Sequence, residues 1–96
     1  MIPNEPQLLV EKLHEALDAM RHELSVAESF GLYAGVRMLC DDLDCIANDN
    51  GYFFEQTLRI RSHVGAALGF DVDHGQGPTQ HRVWALGALS TLKDLL

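Results

Sequence analysis

Basic residues are scarce in this 96-residue chain, which has 7 lysines and arginines against 14 aspartates and glutamates and a formal net charge of −7. Proteins that bind nucleic acids need clustered lysine and arginine, so this charge argues against direct nucleic-acid binding. The imbalance lies in the first half, because residues 1–50 carry ten acids and three basic residues whereas residues 51–96 carry four of each. We therefore expect either a partner with a basic surface or an acidic surface that serves only solubility.

Cysteines and long apolar runs are also few. Two cysteines cannot cross-link a small secreted fold, and Cys40 and Cys45 stand five apart on one predicted helix, too far for a mutual disulfide. Both are predicted to be small, unreactive residues near the helix contacts. No basic segment followed by an apolar stretch marks a signal peptide, and residues 83–89 form an apolar run far shorter than the ~20 residues of a membrane span. These features predict a soluble cytoplasmic protein.

Apolar residues recur at helical spacing along the whole chain, and no alternating run of β-branched residues competes with them. Asn4 is a candidate N-cap for the first helix, and Gly31 a candidate for its C-terminal cap. The predicted helices cover about residues 4–30, 32–47, 52–68 and 78–96. Residues 1–96 are thus predicted to form a single all-α domain, a small antiparallel up-down four-helix bundle of two helical hairpins that a second copy could extend into a dimer.

Acidic residues on the first two predicted helices share one side of a heptad pattern. With Val10 and Val36 at the first heptad position, these acids fall at the second and sixth positions, which face away from the contact between the helices. The predicted acidic face comprises Glu11, Glu15, Asp18, Asp41 and Asp44. This face either keeps the protein soluble or docks a basic partner, including by mimicry of nucleic-acid phosphates.

Three consecutive aromatic residues, Tyr52, Phe53 and Phe54, begin the third predicted helix. They span about 200° of the helix circumference, so one core cannot bury all three. In an up-down bundle they are expected at the end opposite Phe30 and Phe70. They either close the base of the bundle or anchor a partner or a second copy, because aromatic side chains concentrate binding energy at interfaces.

Two acidic pairs faintly resemble those that hold Mg²⁺ between facing helices of all-helical nucleotide pyrophosphatases: Glu15 with Asp18, and Asp41 with Asp44. Those enzymes use glutamate at most of these places, and their carboxylates converge on the ion. The pairs in this chain are predicted to point outward from a shared contact, where they cannot surround an octahedral ion. We therefore predict no Mg²⁺ site.

The predicted loop over residues 70–77 carries further potential ligands. Asp71, Asp73, His74 and the nearby His81 offer oxygen and nitrogen donors, but their spacing matches neither a calcium loop nor a standard transition-metal site. The flanking helices also resemble a helix-turn-helix, although the connection is longer than usual and the second helix is nearly uncharged. No catalytic motif is present, so neither a metal nor a cofactor is predicted, and the chain is not expected to be an enzyme.

Protein binding is the function that these features favour. We expect a small acidic regulatory or inhibitory protein, an antagonist of antitoxin, immunity or phage-encoded type, that occludes a nucleic-acid-handling or regulatory protein. Its predicted partner-binding residues are Glu11, Glu15, Asp18, Asp41, Asp44, Tyr52, Phe53 and Phe54. The alternative is a structural homodimer in which the acidic face only solvates the protein. A DNA-binding helix-turn-helix and a Mg²⁺-dependent nucleotide hydrolase are weaker alternatives.

Overall fold

The computed structural model describes residues 5–47 and 50–96, which form four α-helices and, within these ranges, no strand. The helices are α1 (Glu5–Ala19), α2 (Val26–Ile46), α3 (Gly51–Leu68) and α4 (Pro78–Leu95). Each helix packs against the next one along the chain, and α4 closes the ring against α1. The predicted all-α four-helix bundle is thus confirmed, while the proposed cap at residue 4 lies outside the described residues. None of the described helices has the combined length and apolar character needed to cross a membrane.

The boundary between the first two helices was predicted wrongly. The first helix ends at Ala19 rather than near residue 30, and Gly31 lies inside α2. The cause is a capping box: the Ser25 hydroxyl accepts from the Glu28 N–H at 3.1 Å, and the Glu28 carboxylate accepts from the Ser25 N–H at 2.9 Å. These two bonds satisfy free amides at the start of a helix, so the chain begins α2 here although the apolar spacing continues through the turn.

Apolar side chains from all four helices meet in one core. The buried members are Val10, Leu13, Leu17, Val36, Cys40, Leu43, Phe53, Ile60, Val64, Ala85, Ala88, Leu89 and Leu92. Most of them belong to the predicted apolar faces. In α4 that prediction is only partly correct, because Leu89 and Leu92 are buried whereas Val83, Trp84, Leu95 and Leu96 of its predicted face are exposed. The prediction also fails at the start of α2, where Ala27 is exposed.

The chain turns at the two ends of α3 are fixed by local hydrogen bonds and by aromatic packing. The Asn50 side chain caps α3 by accepting from the Tyr52 and Phe53 N–H groups, each at 3.1 Å. At the other end, Gly69 adopts a left-handed conformation with φ of 90°. The next residue, Phe70, then stacks on Tyr33 of α2 with ring centres 5.2 Å apart. These contacts hold the start of the 70–77 loop against α2.

The two cysteines differ in a way that a thiol reagent can measure. Cys40 is buried in the core, and burial raises the pKa of its thiol to about 12, whereas Cys45 is exposed on α2, contrary to the prediction for that residue. Because the thiolate is the reactive form, we expect Ellman's reagent to modify only Cys45 in the folded protein. Cys45→Ala should abolish the reaction until denaturant is added, and Cys40→Ala should leave it unchanged. Rapid native labelling of both thiols would contradict this assignment.

Candidate functional site

The predicted acidic residues of α1 are exposed and lie on the side of the helix next to α4. Asp18 accepts a hydrogen bond from Arg82 of α4 at 3.3 Å, and Arg82 also donates to the Leu17 carbonyl at 2.8 Å. Glu11 lines a hollow of about 510 Å³ between α1 and α4, with Lys93 on the opposite wall. Glu15 is exposed and lies 3.4 Å from Lys12 of the same helix.

The predicted acidic residues of α2 are directed instead toward α3. The Arg61 guanidinium donates to Asp41 at 2.7 Å and to Asp44 at 2.6 Å, and the buried Thr57 hydroxyl donates to Asp44 at 2.6 Å. Only 26% of the Asp44 side chain is exposed, so the prediction that this residue points outward is wrong. A two-helix heptad could not reveal this, because it assigned α2 a single neighbour whereas the bundle gives it two.

The five predicted acids therefore do not form one face. Those of α1 lie toward α4, those of α2 lie toward α3, and three of the five contact an arginine of another helix. These three ion pairs hold neighbouring helices together, so their charges are partly neutralised where they lie. Glu11 and Glu15 are the members that make no contact with a charged group of another helix within the described residues.

Of the three aromatic residues at the start of α3, one is buried in the core and two are exposed. Phe53 is only 3% exposed and packs in the core. The prediction that Phe53 anchors a partner is therefore wrong. Tyr52 and Phe54 are 54% and 37% exposed, because successive helical residues are about 100° apart and the neighbours of an inward residue are directed away from the core. Tyr52 and Phe54 remain available as contact residues.

Tyr52 lies at one end of an open groove of about 670 Å³ between α3 and α4. Its walls are formed by Tyr52, Gln56, Arg59, His63, Val83, Trp84, Gly87, Ala88 and Thr91. Val83 and Trp84 are 50% and 41% exposed, whereas Gln56 is only 3% exposed. No hydrogen bond joins the Gln56 side chain to any residue between 5 and 47 or between 50 and 96. Its amide atoms are not enclosed, although the residue is largely buried, so they can meet a group that enters the groove.

A chain of hydrogen-bonding groups joins this groove to the 70–77 loop. His81 of α4 is 4% exposed, and its Nε2 lies 2.7 Å from Asp73 Oδ1 and 2.9 Å from the Asp73 carbonyl oxygen. Its other ring nitrogen, Nδ1, lies 3.0 Å from Nδ1 of His63 on α3. The Trp84 ring contacts both imidazoles, with its centre 5.2 Å from that of His63 and 5.6 Å from that of His81.

Of the potential ligands predicted in the 70–77 loop, only Asp73 contacts His81. The Asp73 carboxylate also accepts from the Gly77 N–H at 2.9 Å, and this bond is the main reason that the pKa of Asp73 is lowered. His74 is exposed, and Asp71 bonds to its neighbour's N–H, so neither joins the His81 cluster. Within the described residues, no group of three or more histidine, cysteine or acidic side chains is arranged to hold a metal ion.

Burial lowers the pKa of His63, and the nearby positive charges of His81 and Arg59 lower it further. The sequence analysis did not identify His63, Trp84 or Gln56 as functional residues. The spacing of Tyr52, Gln56, Arg59 and His63 places them on one side of α3 and could have indicated a shared face. The contact between His63 and His81, 18 residues apart, depends on how α3 and α4 are aligned, which no local pattern specifies.

Comparison with protein-family models, with curated protein sequences and with solved structures gives no significant match. The function of the chain is therefore inferred from its own residues.

Proposed function

We propose that the chain is a protein-binding domain that docks a basic amphipathic helix of a partner protein in the groove between α3 and α4. We call the surface formed by Tyr52, Gln56, His63, Val83, Trp84 and Gly87 the docking face. Its exposed aromatic and apolar side chains carry the proposal, because such residues dominate the binding energy of protein interfaces. By covering a surface of its partner, the chain would act as a regulator or inhibitor.

The dimensions of the groove suit a short helix. The segment of α3 from Tyr52 to His63 is about 16 Å long, which matches about three turns of a partner helix. On the opposite wall, no side chain or neighbouring helix among residues 5–47 and 50–96 lies within 4 Å of the position that a Gly87 Cβ would occupy. A partner backbone can approach closely at Gly87, while the Gln56 amide, which reaches the groove from a largely buried residue, supplies a hydrogen bond that fixes its register.

Arg59 also lines the groove, but it is paired with Glu55 at 2.8 Å, so the attraction of a basic helix comes from the charge of the whole chain and not from the groove itself. A formal net charge of −7 on 96 residues attracts a basic partner and repels an acidic one. Among the predicted acids, Glu11 and Glu15 are exposed and make no ion pair with another helix in the described part of the chain, so they contribute to this attraction without pairing across helices. We expect them to act mainly on the rate of association and on its salt dependence.

Cross-linked capture from the source cells tests the docking face when wild type is compared with Val83→Asp and Met38→Asp. Each substitution places a charge at an exposed apolar position of a helix, but Val83 lies on the docking face and Met38 lies on α2, outside the groove. We expect a basic protein that is retained by wild type and Met38→Asp and lost by Val83→Asp. With that protein purified, Val83→Asp should bind at least roughly thirty-fold more weakly, corresponding to about 2 kcal/mol.

Equal retention by both variants would contradict the docking face. If only a second copy of the chain were captured, and Val83→Asp dissociated a dimer in sedimentation, the homodimer alternative would replace the proposal. The double variant Glu11→Lys with Glu15→Lys should slow association and reduce its salt dependence. Asp18, Asp41 and Asp44 are unsuitable for charge reversal because their arginine contacts hold the helices together.

A further inference from the structure

The contact between His63 and His81 is the feature of the docking face that its proposed role leaves unexplained. We propose that it is a proton-operated clasp, which joins α3 to α4 while a single proton lies between the two rings and opens when both rings are fully protonated. The clasp is built from the 3.0 Å separation between the two Nδ1 atoms and from the contact of His81 Nε2 with Asp73. It connects α3, α4 and the 70–77 loop.

The number of protons on the His63 and His81 rings determines whether the clasp is closed or open. A neutral imidazole carries one N–H. His81 uses its N–H on Nε2 to donate to Asp73, so its Nδ1 accepts the Nδ1 N–H of His63. One added proton preserves this contact, because a single N–H still lies between the rings and the Asp73 carboxylate balances the charge.

A second added proton has a different effect. Both rings are then imidazolium ions, and two N–H groups face each other across a distance that suits one hydrogen bond. No tautomer relieves this arrangement, since every ring nitrogen already carries a proton. The His63 ring, which is the less buried of the two and lines the groove, therefore moves away from His81.

The neighbouring charges determine the pH at which the second proton binds. In the described part of the chain, Asp73 faces His81 from the loop, while Arg59, itself paired with Glu55 at 2.8 Å, faces His63 along α3. Asp73 places a negative charge beside the His81 ring. Arg59, the first proton itself and the burial of His63 all oppose the second. The two protons should therefore bind in separate steps, with the second below the pH at which an ordinary histidine binds its proton.

Opening changes the docking face, because His63 and Trp84 both line the groove and are in contact with each other. A bound helix would then lose affinity in acid. This consequence rests on the proposed function. The clasp itself needs no partner, so it is tested on the isolated protein and either proposal can fail without the other.

The test is an acid titration of the full chain followed by histidine ¹⁵N NMR and by fluorescence of Trp84, the single tryptophan. We expect two separated protonation steps for the His63–His81 pair. The Trp84 emission should change mainly in the lower step, while helical circular dichroism stays constant. In His63→Gln the lower step and its fluorescence change should be absent. In Asp73→Asn the upper step should move to lower pH, because the balancing carboxylate is gone.

His14→Gln is the matched control, since His14 is exposed on α1 and lines the hollow between α1 and α4, whereas Trp84 lines the groove between α3 and α4. Its titration should leave both steps of the pair unchanged. Independent titration of His63 and His81 at one ordinary pKa would overturn the clasp. Retention of the fluorescence change in His63→Gln would overturn it too, as would an acid unfolding transition that occurs at the same pH in wild type and His63→Gln.

Discussion

Phe53→Ala is expected to lower the free energy of unfolding by about 3–5 kcal/mol, whereas Phe54→Ala should cost about 1 kcal/mol. The two residues are chemically identical neighbours on α3, but Phe53 is 3% exposed in the core and Phe54 is 37% exposed. Removing the Phe53 ring forfeits its transfer from water and leaves a cavity among side chains from several helices. For a domain of this size, such a loss is a large share of its total stability.

Urea denaturation followed by circular dichroism measures both changes, with Phe54→Ala as the control for loss of a ring at this end of the bundle. Equal costs for the two variants would contradict the placement of Phe53 in the core. The same placement rules out Phe53→Asp as a test of an interface, because a charge in the core would unfold the protein before any partner was lost. Phe54 and Tyr52 are the suitable positions.

The ends of the helices were predictable where nearby residues with strong backbone preferences determine them. The start of α4 at Pro78 and the stop of α3 before Gly69 follow from residues whose backbone preferences are strong. The turn after α1 was missed although its signal, Ser25 followed three residues later by Glu28, is present in the sequence. There, an apolar period continued by chance through residues that form no helix, and the capping pair outweighs it.

The candidate site was less predictable, because it depends on neighbours that the sequence does not specify. Asp44 was assigned to an outer face, yet Thr57 and Arg61 of α3 enclose its carboxylate. His63 has no unusual sequence context and becomes notable only through its contact with His81. Both cases require knowledge of how two helices are rotated and aligned against each other, which heptad positions restrict but do not determine.

Gly65→Ala is expected to destabilise the protein by about 1–3 kcal/mol, although alanine is the better helix former. A Cβ at this position would lie 3.1 Å from both Cε1 and the hydroxyl oxygen of Tyr33, and 3.2 Å from Cβ of Asp71. Neither neighbour can move away easily. Tyr33 is held between the Phe70 ring and the Arg37 guanidinium, and the Asp71 N–H donates to the Gly65 carbonyl.

Gly35→Ala is the matched control, because Gly35 lies inside α2 and no neighbouring atom of the described residues falls within 4 Å of the position of its added Cβ. There the methyl group meets no obstacle, and the reduced backbone freedom of the unfolded chain should raise the free energy of unfolding by about 0.5–1 kcal/mol. Replacing glycine by alanine is thus expected to lower the free energy of unfolding at Gly65 and to raise it at Gly35. Urea denaturation of both variants measures this directly, and a stabilising Gly65→Ala would show that α2 and the 70–77 loop do not pack against α3 as closely as these distances require.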